Sequence, residues 1–201
     1  MVKVYVSLSM SLDGFITGPN PRPGEPMGDG GERLHEWMAG MADFRERGDT
    51  SNADAYVLRE LSSRTGALLM GRTMFDAGEV PWGDDPPFGM PVFVLTHRPR
   101  ETVTKQGGTT YTFVTDGLEA ALEQAKAAAG GKDVGLVGGA NLAQQCLRAG
   151  ILDEIQIHLV PVLLGAGTRL FDHLGVEPIE LKRTRVVESP VSVTHLSFRV
   201  V

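Results

Sequence analysis

The chain has 201 residues, of which 42% are hydrophobic and 22% charged, a composition that excludes disorder and collagen-like repetition. Its formal net charge of -6 argues against a general affinity for nucleic acid or anionic lipid, so we expect neither as a partner. The single Cys146 excludes an intramolecular disulfide, and we expect a cytoplasmic location. The start of the chain does not read as a signal peptide, and no segment is apolar for long enough to predict a membrane helix.

In chain order, apolar residues that alternate from Val4 to Met10 predict a first strand, which Asp13-Gly14 ends with a turn. Residues 17–31 are mostly Gly, Pro, Asn, Asp and Glu, and a loop of this length is expected to act as a lid. An amphipathic helix is predicted next from five apolar residues at helical spacing: Leu34, Trp37, Met38, Met41 and Phe44.

Helices and strands alternate through the middle of the chain. A helix is expected over 53–64, with a buried stripe drawn from Ala55, Val57, Leu58 and Leu61. The following predicted elements are strands 67–70, 91–96 and 110–115, helix 118–129, strand 134–137, helix 140–149, and strands 155–164, 186–187 and 193–201.

This order predicts an α/β fold with three layers and a mixed sheet, in one domain over residues 1–201. The alternating part predicts a parallel core, and the helix-free C-terminal third predicts antiparallel strands beside it. In sheets of this type ligands bind outside the carboxyl ends of the strands, so the residues that follow each strand are the candidate site.

The first candidate is Met70-Gly71-Arg72-Thr73, at a strand end. Gly71 admits a close ligand, Arg72 offers a planar cation for phosphate, and Thr73 is placed to cap a following helix. A plain strand-to-helix turn with a solvated arginine is the alternative.

The second candidate is the basic stretch Thr96-His97-Arg98-Pro99-Arg100, which follows the next strand. If the two strands are neighbours, both basic clusters meet on one rim and can share a phosphate monoester. A solvated basic loop is the alternative.

The third candidate is Gly138-Gly139-Ala140-Asn141-Leu142, where paired glycines would let a diphosphate approach a helix N-terminus. A tight turn that feeds a helix explains it equally well. The sequence contains neither a G-x-G-x-x-G fingerprint nor a P-loop, and Gly165 to Leu170 is better explained as a turn between strands.

Metal and nucleophile patterns are weak. The five histidines lack metal-ligand spacing, and His158 is as consistent with a packed or surface residue as with a ligand. Cys146 lies on an apolar helix face, which favours a core residue over a nucleophile.

Taken in order, these motifs resemble the dihydrofolate reductase-like superfamily, and within it the branch of the riboflavin-biosynthesis reductase domain. The likeness covers nearly the whole chain and also includes two further stretches, Ser11-Leu12-Asp13-Gly14-Phe15-Ile16 and Pro161-Val162-Leu163-Leu164-Gly165-Ala166-Gly167.

The resemblance implies NADPH as cofactor and hydride transfer to a small heterocycle, pterin-like or pyrimidine-like. It assigns Gly71, Arg72 and Thr73 to the adenosine phosphates and Thr96, His97 and Arg98 to the 2′-phosphate. Gly138, Gly139, Ala140, Asn141 and Leu142 would hold the diphosphate. Ser9, Ile16 and Thr17 would face the nicotinamide.

The family pattern differs here at one point, because the position of the buried helix acid of dihydrofolate reductases holds Leu34, with Glu32 and Glu36 nearby. Classical folate reduction is therefore not expected. Asp13 is the candidate catalytic acid, with a structural turn residue as the alternative. An NADPH-binding sensor without turnover and a nucleotide-handling transferase are alternative functions, and a homodimer is expected by the same resemblance.

Overall fold

The computed structural model describes residues 1–22, 24–38, 53–190 and 193–201. Four α-helices are present in these ranges: α1 (Ala53–Arg64), α2 (Arg72–Trp82), α3 (Leu118–Ala128) and α4 (Ala140–Arg148). Two 3-10 helices span Gly31–Met38 and Gln106–Gly108. The strands are β1 (Val4–Ser11), β2 (Phe15–Thr17), β3 (Thr65–Gly71), β4 (Pro91–Leu95), β5 (Val103–Thr104), β6 (Thr110–Val114), β7 (Asp133–Val137), β8 (Glu154–Val160), β9 (Thr168–Arg169), β10 (Leu181–Glu188) and β11 (Thr194–Val200).

The chain divides into two compact units. The first unit consists of Met1–Val6 and Thr65–Leu152, and the second of Ser7–Arg64 and Asp153–Val201. The prediction of one domain over the whole chain stays a prediction. Among the described residues, no helix combines the length and apolar composition that crossing a membrane requires.

The sheet of the first unit has the order β1-β7-β3-β4-β6-β5. All neighbours are parallel except β5, which pairs with β6 in antiparallel fashion at the edge. The central strands β3 and β4 read as continuous apolar runs because helices connect the parallel strands and both sheet faces are buried. Four of their side chains, Leu68, Met70, Val92 and Val94, form a core cluster with Phe75 of α2 and Tyr111 of β6.

The composition of helix α3 explains why it forms, since Ala, Leu, Glu and Lys, which have high helix propensity, make up most of its length. Glu119 lies in its first turn and Lys126 in its last, where each charge interacts favourably with the helix dipole. Its buried residues, which pack against the strands, are Ala121, Leu122 and Ala125.

In the second unit β10, β11 and β8 pair antiparallel, and β1 is the neighbour of β8. The short strands β2 and β9 form a separate antiparallel pair. The fold is therefore mixed α/β, with a parallel core and antiparallel C-terminal strands, as predicted.

The structure differs from the sequence prediction in several details, among them the following three. Strand β8 ends at Val160 and not at 164, because Pro161 has no N–H to continue the ladder. The helix expected from Leu34 onward is a 3-10 helix as far as it is described, and Met41 and Phe44 lie outside the described residues. On α1, Val57 is buried while Ala55, Leu58 and Leu61 are only half-buried, and the other buried residue is the acidic Asp54.

Candidate functional site

The carboxyl ends of three parallel strands lie side by side in the first unit. In the register of β3, Met70 pairs with Val94 of β4 on one side and with Val137 of β7 on the other. The residues that follow these strands, from Arg72, Thr96 and Gly138 onward, therefore leave the sheet at the same edge. This placement confirms the expected convergence of the three candidate stretches.

Two helices begin at this edge without a side-chain cap. Helix α2 has Gly71 as its N-cap and α4 has Gly139, and neither position supplies a side-chain hydrogen bond to the first turn. The first backbone N–H groups of a helix have no partner within the helix, and the helix dipole adds positive potential there. Both helix starts therefore suit an anionic group such as a diphosphate.

Thr73 was expected to cap α2, but this expectation is wrong. The helix begins one residue after β3 ends, so Thr73 lies within the first turn and Gly71 occupies the cap position. The Thr73 side chain is exposed.

The glycines at both helix starts leave room for a ligand. A Cβ atom added at Gly71 or at Gly139 would meet no other atom within 4 Å, so the backbone is open at both positions. Gly139 also has a φ of 80°, which disfavours any L residue with a side chain. These open positions fit the diphosphate of a dinucleotide.

Gly138 is different, because its neighbour is protein. Its φ is 64°, and a Cβ atom there would lie 2.7 Å from the sulfur of Met74 on α2. Gly138 thus lets the turn after β7 pack closely against the start of α2. The peptide N–H groups of Ala140 and Leu142, rather than their buried side chains, are the groups available to a ligand.

Arginines collect at the same edge but are held by two carboxylates on α2. Asp76 accepts hydrogen bonds from Arg72 at 2.6 Å and from Arg98 at 2.8 Å. Glu79 pairs with Arg100 at 2.5 Å. Three arginines therefore face two acids, which leaves the cluster with an excess of positive charge. Asp76 and Glu79 were not predicted from the sequence, although the four-residue spacing from Arg72 to Asp76 indicates an ion pair on one face of a helix.

The pKa of Asp76 reflects these contacts. Partial burial by itself raises that pKa, but the hydrogen bonds and charges of Arg72 and Arg98 outweigh it and the net shift is downward. Asp76 is thus a carboxylate that competes with any phosphate for the two guanidinium groups.

The loop after β4 uses its threonine internally. The Thr96 hydroxyl accepts a hydrogen bond of 3.0 Å from the Arg98 backbone N–H and is buried, so it shapes the turn. His97 and Arg98 are exposed and remain accessible to a phosphate. On α4 the exposed Asn141 uses its amide oxygen to accept a hydrogen bond of 2.6 Å from Gln145.

Asp13 lies in the second unit, at the turn between β1 and β2. Its carboxylate accepts hydrogen bonds from the Ser11 hydroxyl at 2.6 Å and from the backbone N–H groups of Leu164 at 3.2 Å and Gly165 at 2.8 Å. Chiefly through the Ser11 hydrogen bond, these donors lower the pKa of Asp13 to about 2. A carboxylate of this kind carries no proton near neutral pH, so the geometry favours the structural alternative over a proton donor.

The three residues expected to face a nicotinamide have different surroundings. The Ser9 hydroxyl accepts a hydrogen bond of 3.0 Å from the Trp37 indole, and Ile16 is buried. The Thr17 hydroxyl oxygen is buried and has no hydrogen-bond partner among the described residues. A buried hydroxyl without a partner is unusual and is consistent with a group that a ligand completes.

The sequence of the chain identifies its protein family. The sequence model of the family described as the RibD C-terminal domain matches residues 2–193. The chain belongs to the RibD C-terminal domain family.

Individual relatives agree with this placement. The uncharacterized protein YyaP of Bacillus subtilis (strain 168) is 27% identical over 175 residues, which cover 84% of this chain and 80% of YyaP. A putative riboflavin biosynthesis protein from Shewanella sp. PV-4 has a similar structure, with a TM-score of 0.73 at 22% identity over 100% of this chain and 99% of that one. The riboflavin biosynthesis reductase Rib7 of Saccharomyces cerevisiae gives a TM-score of 0.57 at 17% identity, over 100% of this chain and 89% of Rib7. The two structures share the fold of this chain.

This RibD C-terminal domain also contains a buried chain of polar side chains that the sequence analysis did not find. It joins Ser7, His158, His195, Asp54 and Ser189 through four hydrogen bonds in the second unit. The period-two pattern around His158 left a packed position open, but no local signal pointed to partners on other strands and on α1.

No group of three or more His, Cys, Asp or Glu side chains in the described ranges is arranged to hold a metal ion. Cys146 is fully buried on α4, and burial raises the pKa of its thiol to about 11. A buried thiol that stays protonated is a core residue of this RibD C-terminal domain, as the sequence analysis favoured.

Proposed function

We propose that this chain is an NADPH-dependent reductase that transfers a hydride to a C=N or C=O carbon of a small heterocycle, pterin-like or pyrimidine-like. The main support is the edge of the first unit, where two uncapped helix starts and an arginine cluster meet. Membership in the RibD C-terminal domain family adds to it, as does the name of the yeast neighbour, a riboflavin biosynthesis reductase.

In this proposal each part of the edge has a distinct task. The backbone N–H groups at the start of α4 bind the diphosphate, with Gly139 leaving space for it. The start of α2 binds the adenosine phosphates through Gly71, Arg72 and Thr73.

The 2′-phosphate falls to His97 and Arg98. The Arg98 guanidinium is mostly exposed, and a dianionic phosphate can replace Asp76 as its partner. This contact favours NADPH over NADH, since NADH lacks that phosphate.

When bound, the nicotinamide supplies the hydride, and the protein has to position the substrate and exclude water. Leu34 is fully buried, so the position that holds an acid in dihydrofolate reductases is part of the core here. This argues for a heterocycle other than dihydrofolate, such as an aminopyrimidine, and for a different source of the proton.

The decisive experiment has two parts. Calorimetric titration with NADPH, NADH and ATP measures binding, and the decrease in NADPH absorbance with a panel of pteridines and aminopyrimidines measures turnover. We expect NADPH to bind more tightly than NADH and ATP, and at least one substrate to be reduced. Binding without turnover on any substrate would indicate a sensor, and equal binding of ATP and NADPH would indicate a nucleotide-handling transferase.

A further inference from the structure

Two histidines of the second unit are joined directly to one another through their rings. Nδ1 of His158 lies 2.7 Å from Nδ1 of His195, because the two residues are register partners on β8 and β11. Each ring has a second partner, since Nε2 of His158 lies 2.9 Å from the Ser7 hydroxyl and Nε2 of His195 lies 2.9 Å from Oδ1 of Asp54. The result is a continuous path of hydrogen bonds from β1 to the start of α1.

The middle of this path is closed to water. His158 is 4% exposed, His195 1% and Asp54 0%. The Trp37 ring covers both imidazoles, with centroid distances of 5.0 and 5.2 Å. The other oxygen of Asp54 accepts a hydrogen bond of 2.8 Å from Ser189. Ser7, at the outer end, is only half-buried.

With a neutral His158, hydrogen-bond chemistry restricts the protons on this path to two arrangements. Asp54 as a carboxylate only accepts, so Nε2 of His195 carries a proton. The contact between the two Nδ1 atoms needs one donor and one acceptor. In the first arrangement, His195 is an imidazolium that donates to a neutral His158, and His158 donates to Ser7. In the second, Ser7 donates to His158, and His158 donates to a neutral His195.

The two arrangements differ by one proton and by the direction of every bond between Ser7 and His195. In the first, the positive charge of His195 lies against the Asp54 carboxylate, so the buried charges are paired. His158 stays neutral in both, in agreement with its pKa, which burial and the neighbouring His195 and His35 lower to about 3. Among the described residues, the titratable groups on or beside the path include Asp54 on α1, His195 on β11, His158 on β8 and His35 on the 3-10 helix Gly31–Met38.

We propose that Ser7, His158, His195 and Asp54 form a proton relay that supplies the proton for the reduction proposed above, on which this inference rests. His195 stores the proton and Asp54 holds it there. His158 conducts it, and the Ser7 hydroxyl is the outlet.

The relay balances the reaction as follows. As the hydride forms a C–H bond at the C=N carbon, the π electrons of that bond move to the nitrogen, which takes the proton of the Ser7 hydroxyl. Ser7 takes the Nε2 proton of His158, and Nδ1 of His158 takes the Nδ1 proton of His195. His195 ends neutral and still donates from Nε2 to Asp54. After product release, one proton from water at Ser7 reverses these transfers and reloads His195.

The position of Ser7 agrees with this role. Ser7 and Ser9 are two residues apart on β1 and therefore point to the same face of the strand. Ser9 is one of the residues that the family resemblance assigns to the nicotinamide. Asp13 is unsuited to the task because it carries no proton near neutral pH.

The first test is independent of turnover. Nitrogen-15 NMR of the histidine side chains, in the cofactor-free protein, reports which ring nitrogens carry protons, and a nitrogen–nitrogen coupling across the hydrogen bond reports the ring-to-ring contact. We expect a doubly protonated His195, a neutral His158 protonated at Nε2, and a coupling between the two Nδ1 atoms. Rings that show no coupling, or a His158 that titrates together with His195 as a second cation, would overturn the relay.

The second test uses variants at the outlet, where folding is least at risk. Ser7→Ala removes the hydroxyl and should lower kcat about 100-fold, the usual contribution of a positioned proton donor. Ser7→Thr keeps a hydroxyl and should restore most of the rate. Ser62→Ala removes an exposed hydroxyl on α1 and is the control, with no expected change in kcat.

An unchanged kcat in Ser7→Ala would overturn the relay while the reductase function stands. A wild-type protein that oxidises no NADPH with any substrate would overturn the proposed function and the relay's part in it, whatever the NMR result.

Discussion

The Asp13 carboxylate accepts a hydrogen bond of 2.8 Å from the backbone N–H of Gly165, 152 residues later in the chain. The neighbouring Leu164 N–H donates to the same carboxylate, and the Arg169 guanidinium donates to the Asp13 carbonyl oxygen at 2.8 Å. Asp13 thereby ties the β1–β2 turn to the segment between β8 and β9. These contacts favour a structural role for the acid that the sequence offers as catalytic.

Replacing Asp13 with Asn should lower the stability of the protein at neutral pH. The pKa of Asp13 is lowered from 3.8 to about 2, so its contribution to stability is present above pH 3.8 and is lost as the pH falls through about 2. The gap between wild type and Asp13→Asn in urea midpoint should therefore be constant near neutrality and close between these two values. Asp172→Asn, at an exposed position of the same unit, is the control. A variant of full stability with a lost kcat would restore the proton-donor role.

Replacing Arg98 with Ala should weaken NADPH binding by about 1–3 kcal/mol, because a charged hydrogen-bond partner of the 2′-phosphate is lost. NADH binding should hardly change, and calorimetry with both cofactors measures the difference. Asp76→Asn should act in the opposite direction, since it frees the two guanidinium groups that Asp76 now holds. Equal losses for NADPH and NADH in Arg98→Ala would remove Arg98 from the 2′-phosphate site.

The edge of the first unit could be predicted from the sequence because it is built from local segments. Each strand–turn–helix step, such as the one from Val137 through Gly139 to Ala140, consists of consecutive residues, and parallel strands bring their carboxyl ends together. That alternation left the order of the strands open, and the structure supplies it by pairing Met70 with both Val94 and Val137.

The buried chain of the second unit could not be predicted in this way. His195 meets His158 across 37 residues and Asp54 across 141, so the contacts depend on the register of β8 and β11 and on the place of α1. An aspartate in the first turn of a helix is normally exposed to solvent, and its charge interacts favourably with the helix dipole. Here Asp54 is fully buried, and its carboxylate is hydrogen-bonded to the distant residues His195 and Ser189.

Cys146 should be inert in the native protein. The thiol is fully buried on α4 and burial raises its pKa to about 11, so almost no thiolate is available near pH 8. We expect no reaction with a thiol-specific disulfide reagent in buffer and one equivalent per chain in denaturant. Rapid labelling of the native protein would show that α4 opens or that the thiol is accessible.

Replacing Gly139 with Val should abolish binding of both NADPH and NADH and leave the fold intact. The Cβ of the new side chain would have no protein atom within 4 Å, so the side chain extends into the space where we propose that the diphosphate binds, at the start of α4. Its φ of 80° adds backbone strain of about 1–3 kcal/mol, which a control must match. Gly150→Val is that control, because Gly150 has a φ of 64°, is equally open and lies at the other end of the same helix. Calorimetry and thermal unfolding of both variants separate the two effects. Loss of binding in both would point to strain alone, whereas binding retained in Gly139→Val would place the diphosphate elsewhere.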